Sequence, residues 1–99
     1  KNVTLSRKLK IAEFPDAITT RGTKHLNELV KAKKRGFESY ILYLIQRNDC
    51  GSFKIAQDID EEYKIAFSSA IKNNVNILCY DCKLSNKEIK INKQINYDS

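Results

Sequence analysis

Six consecutive apolar residues, Tyr40-Ile41-Leu42-Tyr43-Leu44-Ile45, bounded by Gly36 and Gly51, constrain the fold of this chain most tightly. The run has strand length. Without polar alternation it reads as a strand buried on both faces, the position that central strands of parallel sheets occupy. Helical patterns flank it on both sides. Upstream, Leu26, Leu29 and Val30 recur at helical spacing, Thr20 and Thr23 offer N-cap hydroxyls, and Gly36 can take the left-handed conformation that stops a helix. Lys31, Lys33, Lys34 and Arg35 complement the C-terminal dipole, so the first helix is predicted over Thr20–Lys34. Downstream, Asp60 is a good N-cap, Tyr63, Ala66, Phe67, Ala70 and Ile71 mark one helical face, and Asn73-Asn74 ends it.

Short strands complete the pattern. Residues 1–5 alternate and end in Val3-Thr4-Leu5, and residues 75–80 form a third strand. Residues 6–15 read as a polar, basic connection, because Pro15 disfavours helix at Phe14, and residues 47–59 read as a loop. Residues 82–91 carry the turn-prone Ser85-Asn86 and are expected to be a hairpin or edge strand, followed by a loose tail. Strand, helix, strand, helix, strand, with connections long enough for right-handed crossovers, predicts an α/β fold with a three-layer parallel or mixed sheet and crossover helices.

The chain has 99 residues, enough for one domain. Eighteen Lys and Arg against twelve Asp and Glu give a net charge of +6, which favours a polyanionic partner such as nucleic acid or an anionic membrane surface. Part of that bias reflects an Ile-, Asn- and Lys-rich composition typical of an AT-rich genome. No stretch approaches the roughly 20 apolar residues needed to span a bilayer, and no apolar secretory core opens the chain, so a soluble, cytoplasmic protein without a membrane partner is expected. Three cysteines, an odd number, suit free thiols in a reducing compartment.

Three segments together resemble the sugar fermentation stimulation protein family: Lys1-Asn2-Val3-Thr4-Leu5, Phe14-Pro15-Asp16-Ala17-Ile18-Thr19-Thr20-Arg21-Gly22-Thr23-Lys24-His25-Leu26, and Leu44-Ile45-Gln46-Arg47. The likeness continues through Asp58-Ile59-Asp60 with Tyr63, and through Val75-Asn76-Ile77-Leu78-Cys79-Tyr80. It implies a restriction-endonuclease-like half-domain, the C-terminal part of such a domain, with an oligonucleotide-binding barrel and the start of the domain lying upstream. In the family a Glu-x-Lys motif precedes Val-Thr-Leu; Lys1 matches its lysine, and the acidic ligands fall before residue 1. The resemblance implies a DNA-binding protein, largely indifferent to sequence, with a regulatory link to sugar (maltose) metabolism genes. The alternative is a metal-dependent phosphodiesterase cutting DNA or RNA with Mg²⁺ or Mn²⁺ held upstream. A protein-interaction module whose charge only maintains solubility is the third reading.

Site residues follow from these readings. In a nuclease of this class Lys1 would stabilise charge on the scissile phosphate; otherwise it is an exposed strand lysine. Arg21, Gly22, Thr23, Lys24 and His25 cluster where a helix start can receive phosphate, and they are the expected DNA-contact segment. The plainer account is a solvated basic face with Gly22 permitting a turn. Gln46 and Arg47 end the central strand, where Gln46 could orient a phosphate-bound water and Arg47 contact a phosphate oxygen. Asp16 is expected to order the helix entry, and Asp58 and Asp60 to be turn and cap residues. Cys79 and Cys82 have Cys-x-x-Cys spacing, but residues three apart on a strand point to opposite faces, which argues against zinc. Phe37, Tyr40 and Tyr43 are read as core rather than as a base-stacking platform.

Overall fold

The computed structural model describes residues 1–84 and 88–98. In chain order its elements are β1 (Asn2–Val3), β2 (Leu5–Lys8), β3 (Ile11–Phe14), α1 (Thr20–Lys34), β4 (Tyr40–Ile45), β5 (Ser52–Ile55), α2 (Glu61–Lys72), β6 (Asn76–Leu84), β7 (Ile89–Gln94) and β8 (Asn96–Tyr97). Among the described residues the strands form two four-stranded sheets, ordered β1-β4-β6-β7 and β2-β3-β5-β8. β1, β4 and β6 run parallel, with β7 antiparallel at the edge. In the second sheet β3, β5 and β8 are parallel and β2 is antiparallel. The mixed α/β architecture is thus the expected one, with its strands shared between two sheets.

The apolar run is indeed the inner strand β4, flanked by β1 and β6, but only one of its faces is covered. Ile41, Tyr43 and Ile45 are buried, whereas Tyr40 is 57% and Leu42 37% exposed. The cause is the placement of the helices. Leu26 and Val30 of α1 and Tyr63, Ala66, Phe67 and Ala70 of α2 join Ile41, Tyr43 and Ile45 in one core, leaving the opposite face without a helix among the described residues. Tyr43 sits at the centre of that core, ringed by Phe14, Phe53 and Phe67 at centroid distances of 5.7, 4.7 and 5.9 Å. Its hydroxyl lies 2.5 Å from that of Tyr63, which satisfies two buried polar groups at once. Phe37 and Tyr40 are exposed, so the core reading holds for Tyr43 alone.

Helix α1 has the predicted bounds, but its N-cap is Thr19, whose hydroxyl accepts a 3.0 Å hydrogen bond from the Gly22 N–H. Neither Thr20 nor Thr23 caps it. Asp16 is exposed, so the helix entry is ordered by Thr19 instead. At its other end the Phe37 N–H bonds the Ala32 carbonyl and the Gly36 N–H bonds Lys33, with Gly36 at φ +94°. That pairing closes the helix as a Schellman turn. Asp60 caps α2 as expected, accepting from the Tyr63 N–H at 3.1 Å.

Several elements depart from the sequence reading. Residues 6–15 form the β2–β3 hairpin, the segment 47–59 contains β5, and the expected loose tail continues β7 to Gln94, buries Ile95 and adds β8. The turn expected at Ser85-Asn86 lies outside the described residues; β6 and β7 on either side pair antiparallel, as a hairpin requires. Cys50, Cys79 and Cys82 are free and buried. A register shift between Tyr80 and Cys82 breaks the simple alternation on which the opposite-face argument relied.

Gly22 gives the fold its sharpest steric test. A Cβ there would stand 2.9 Å from the Thr19 side chain and 3.0 Å from the Tyr63 ring. Ala ordinarily stabilises a helix interior over Gly by about 1 kcal/mol. Gly22→Ala is expected to reverse that sign and lose roughly 1–3 kcal/mol, since backbone-linked neighbours must move. Urea denaturation midpoints of the two forms check it.

Candidate nucleic-acid interface

Two recesses carry most of the polar groups. The larger, about 1000 Å³, is lined by residues that include Arg7, Glu13, Lys54, Asp58 and Lys64. Its centre is internally neutralised. Glu13 is 2% exposed, and Arg7 reaches it through Nε and Nη2 at 3.1 and 2.7 Å while also contacting both oxygens of Asp58 at 2.7 and 2.8 Å. Hydrogen bonding from the Arg7 side chain outweighs burial and holds the Glu13 carboxyl below its ordinary value. This arrangement staples β2 to β3 and to the segment before α2, and leaves Arg7 no free fork for a ligand.

The smaller recess, about 400 Å³, is lined by Lys1, Arg21, Lys24, His25 and Glu28. Lys1 immediately precedes β1, its backbone fixed by the Leu44 N–H donating 2.7 Å to its carbonyl. The other four lie at i, i+3, i+4 and i+7 on α1, which places them on one helical face. Among the described residues no ion pair engages the side chains of Lys1, Arg21 or Lys24. Three cations therefore face one acid in open solvent, with no ion pair among the described residues spending their charge on an internal brace.

The structure thus brings together Lys1, Arg21, Lys24 and His25 and separates the remaining expected residues. Gly22 is buried against Tyr63, so its role is close packing of the helices, and the turn expected there is replaced by helix. Thr23 faces α2, where it lines a shallow groove with Asn27 and Glu62. Gln46 donates to the Asn2 side chain at 3.4 Å and through its backbone to Val3. Arg47 is committed: Nε and Nη2 bond Asp49 at 2.8 and 2.7 Å, and Nη1 bonds the Thr4 carbonyl at 3.2 Å. That contact holds the Asp49 carboxyl far below the usual range. Asp58 and Asp60 are respectively the Arg7 partner and a helix cap. Glu28 was missed as a site residue, although its spacing of three from His25 and four from Lys24 is legible in the sequence.

Among the described residues no group of three His, Cys, Asp or Glu side chains converges as metal ligands would. The recess alone offers only Glu28 and His25 as donors. No described helix is long and apolar enough to cross a membrane.

Parallel strands with crossover helices and a lysine-bearing strand start beside the first helix form a restriction-endonuclease-like framework. The structure of Pyrococcus furiosus SfsA in complex with Ca²⁺ shares the fold, at TM-score 0.92 and 22% identity over the whole chain and 43% of that protein. The family model described as the sugar fermentation stimulation protein RE domain matches residues 1–88, and the chain belongs to that family. Sugar fermentation stimulation protein homologs from Pelagibacter ubique and Roseobacter denitrificans are 56% and 46% identical over 95 and 91 residues. Those alignments cover 96% and 92% of this chain, which spans about two-fifths of either relative, 41% and 39%.

The Arg7–Glu13 pair predicts an acid dependence of stability. Glu13 has its folded value depressed below the ordinary 4.5, so its contribution is complete above that value and is lost as pH falls through the folded one. Urea midpoints should fall as pH is lowered below about 4.5, and Glu13→Gln should flatten that fall. An unchanged slope in the variant would assign the acid sensitivity to other carboxylates.

Proposed function

We propose that this chain binds the phosphate backbone of nucleic acid, DNA foremost, largely without regard to sequence. The observation that carries the reading is the convergence of Lys1, Arg21 and Lys24, all without ion-pair partners among the described residues, on one open recess. Side chains from a strand and a helix fix the spacing of the cations. Ammonium and guanidinium groups so placed neutralise successive phosphates and release counterions, which gives affinity and salt dependence without base readout. Arg21 supplies a planar fork for two phosphate oxygens, and Lys1 and Lys24 act as point charges. The membership in the sugar fermentation stimulation family is compatible with a regulatory setting for such binding.

A second reading, phosphodiester cleavage with Mg²⁺ or Mn²⁺, is favoured by one placement: Lys1 shares the recess with the helix cations. The Ca²⁺ complex of the Pyrococcus protein adds weight to a metal in the family. The donors of this recess, Glu28 and His25, do not make a metal site by themselves. In that reading Lys1 would neutralise charge on the reacting phosphate while Arg21 and Lys24 hold the strand.

Binding to a short DNA duplex, titrated by anisotropy at several salt concentrations, tests the proposal. Arg21→Ala with Lys24→Ala should lower the slope of log affinity against log salt by about two, and Lys1→Ala by about one. Arg47→Ala should leave the slope unchanged, because its guanidinium is already neutralised by Asp49. Equal losses from the Arg21/Lys24 and Arg47 variants would show that net charge, not the recess, attracts the nucleic acid.

A further inference from the structure

The cationic face of α1 does not stop at Glu28. A second recess of about 240 Å³ is lined by Glu28, Lys31, Ala32, Arg35 and Phe37, so Glu28 is common to both. Arg21, Lys24, Glu28, Lys31 and Arg35 follow one another at intervals of three or four and form a single stripe along the helix. Among the described residues Lys31 and Arg35, like Arg21 and Lys24, enter no ion pair. The stripe ends on Phe37, which is 64% exposed.

We infer that this stripe is a track for a single nucleic-acid strand whose end base stacks on Phe37. The inference rests on the nucleic-acid reading of the Lys1 recess and names the kind of substrate that fits it. The fourteen residue steps from Arg21 to the C-cap Arg35 rise roughly 21 Å, a length that spans only a few successive phosphates of one extended strand. An aromatic ring reaches the face of a base only where that base is unpaired or terminal, because bases inside a duplex are covered by their neighbours. Phe37 is also held ready. Its N–H bonds the Ala32 carbonyl at 3.1 Å and Gly36 fixes the reversal before it, so little backbone freedom is lost on stacking. The Schellman turn explains why Phe37 lies beside Ala32. It does not require an aromatic there, and Phe37 is largely exposed in a recess it shares with Lys31 and Arg35.

The test compares three probes on the full protein: an eight-nucleotide oligothymidylate, a blunt duplex, and the same duplex with an eight-nucleotide single-stranded overhang. Phe37→Ala should weaken binding of the oligothymidylate and the overhang about tenfold and change blunt-duplex binding less than about twofold, with Phe37→Trp restoring the parent values. Quenching in Phe37→Trp, taken as the excess over the parent protein, reports stacking on the introduced indole even if the alanine variant folds poorly. Quenching by the oligothymidylate but not by the blunt duplex supports the inference. Absence of quenching, or an equal loss on all three probes in Phe37→Ala, overturns it. If the parent binds the probes and Phe37→Ala is indistinguishable from it, only this inference falls; if the parent binds none of them, the nucleic-acid reading falls first.

Discussion

Both carboxylate oxygens of Asp60 are committed to backbone N–H groups at the starts of two different helices. Oδ1 accepts from Tyr63 in the first turn of α2, and Oδ2 accepts at 2.8 Å from Thr19, the residue that caps α1. A charged acceptor at a helix start is favoured by the unpaired N–H groups there. Serving two starts at once, it also fixes how α1 enters the molecule. Thr19 then holds Gly22, Gly22 lies against Tyr63, and the Tyr63 hydroxyl meets Tyr43 in the central strand. The rotation of α1 about its axis follows from this chain of contacts. That rotation buries Gly22, Leu26 and Val30 and turns Arg21, Lys24 and His25 toward Lys1.

The same physics sorts the arginines. Arg7 and Arg47 each have a bidentate carboxylate partner and tie strands to loops, whereas Arg21 and Arg35 stand on a helix face without ion pairs among the described residues. Composition cannot make this distinction, because net charge counts a compensated guanidinium and a free one alike. The Arg7 recess is a poor candidate for the same reason: its cationic centre is spent on Glu13 and Asp58.

The long-period features were legible in the sequence. The bounds of α1, the Asp60 cap of α2 and the strand character of Tyr40–Ile45 all rest on patterns six or more residues long. Four-residue strands were lost. β3 reads Ile11-Ala12-Glu13-Phe14, and an acidic residue at a buried position hides the alternation unless Arg7 is known to lie opposite. The β2–β3 turn uses Lys10 at φ 64° in place of the glycine or asparagine that signals such hairpins. Arg21, Lys24, His25 and Lys1 were expected from the family resemblance and helix position, and the fold places them around one recess. Gly22 was misread because its φ is helical and the close approach of Tyr63 depends on tertiary packing. Arg47 was misread because the Asp49 pairing depends on a turn geometry that two residues do not announce.

Amide shift mapping during titration with a short DNA duplex tests the central claim most directly. Perturbations are expected to centre on residues 1–2, Arg21, Lys24, His25 and Glu28, with Arg7, Glu13, Arg47 and Asp49 unmoved. Perturbations centred on the Arg7 recess or on the Arg47 turn, with the Lys1 recess silent, would contradict it.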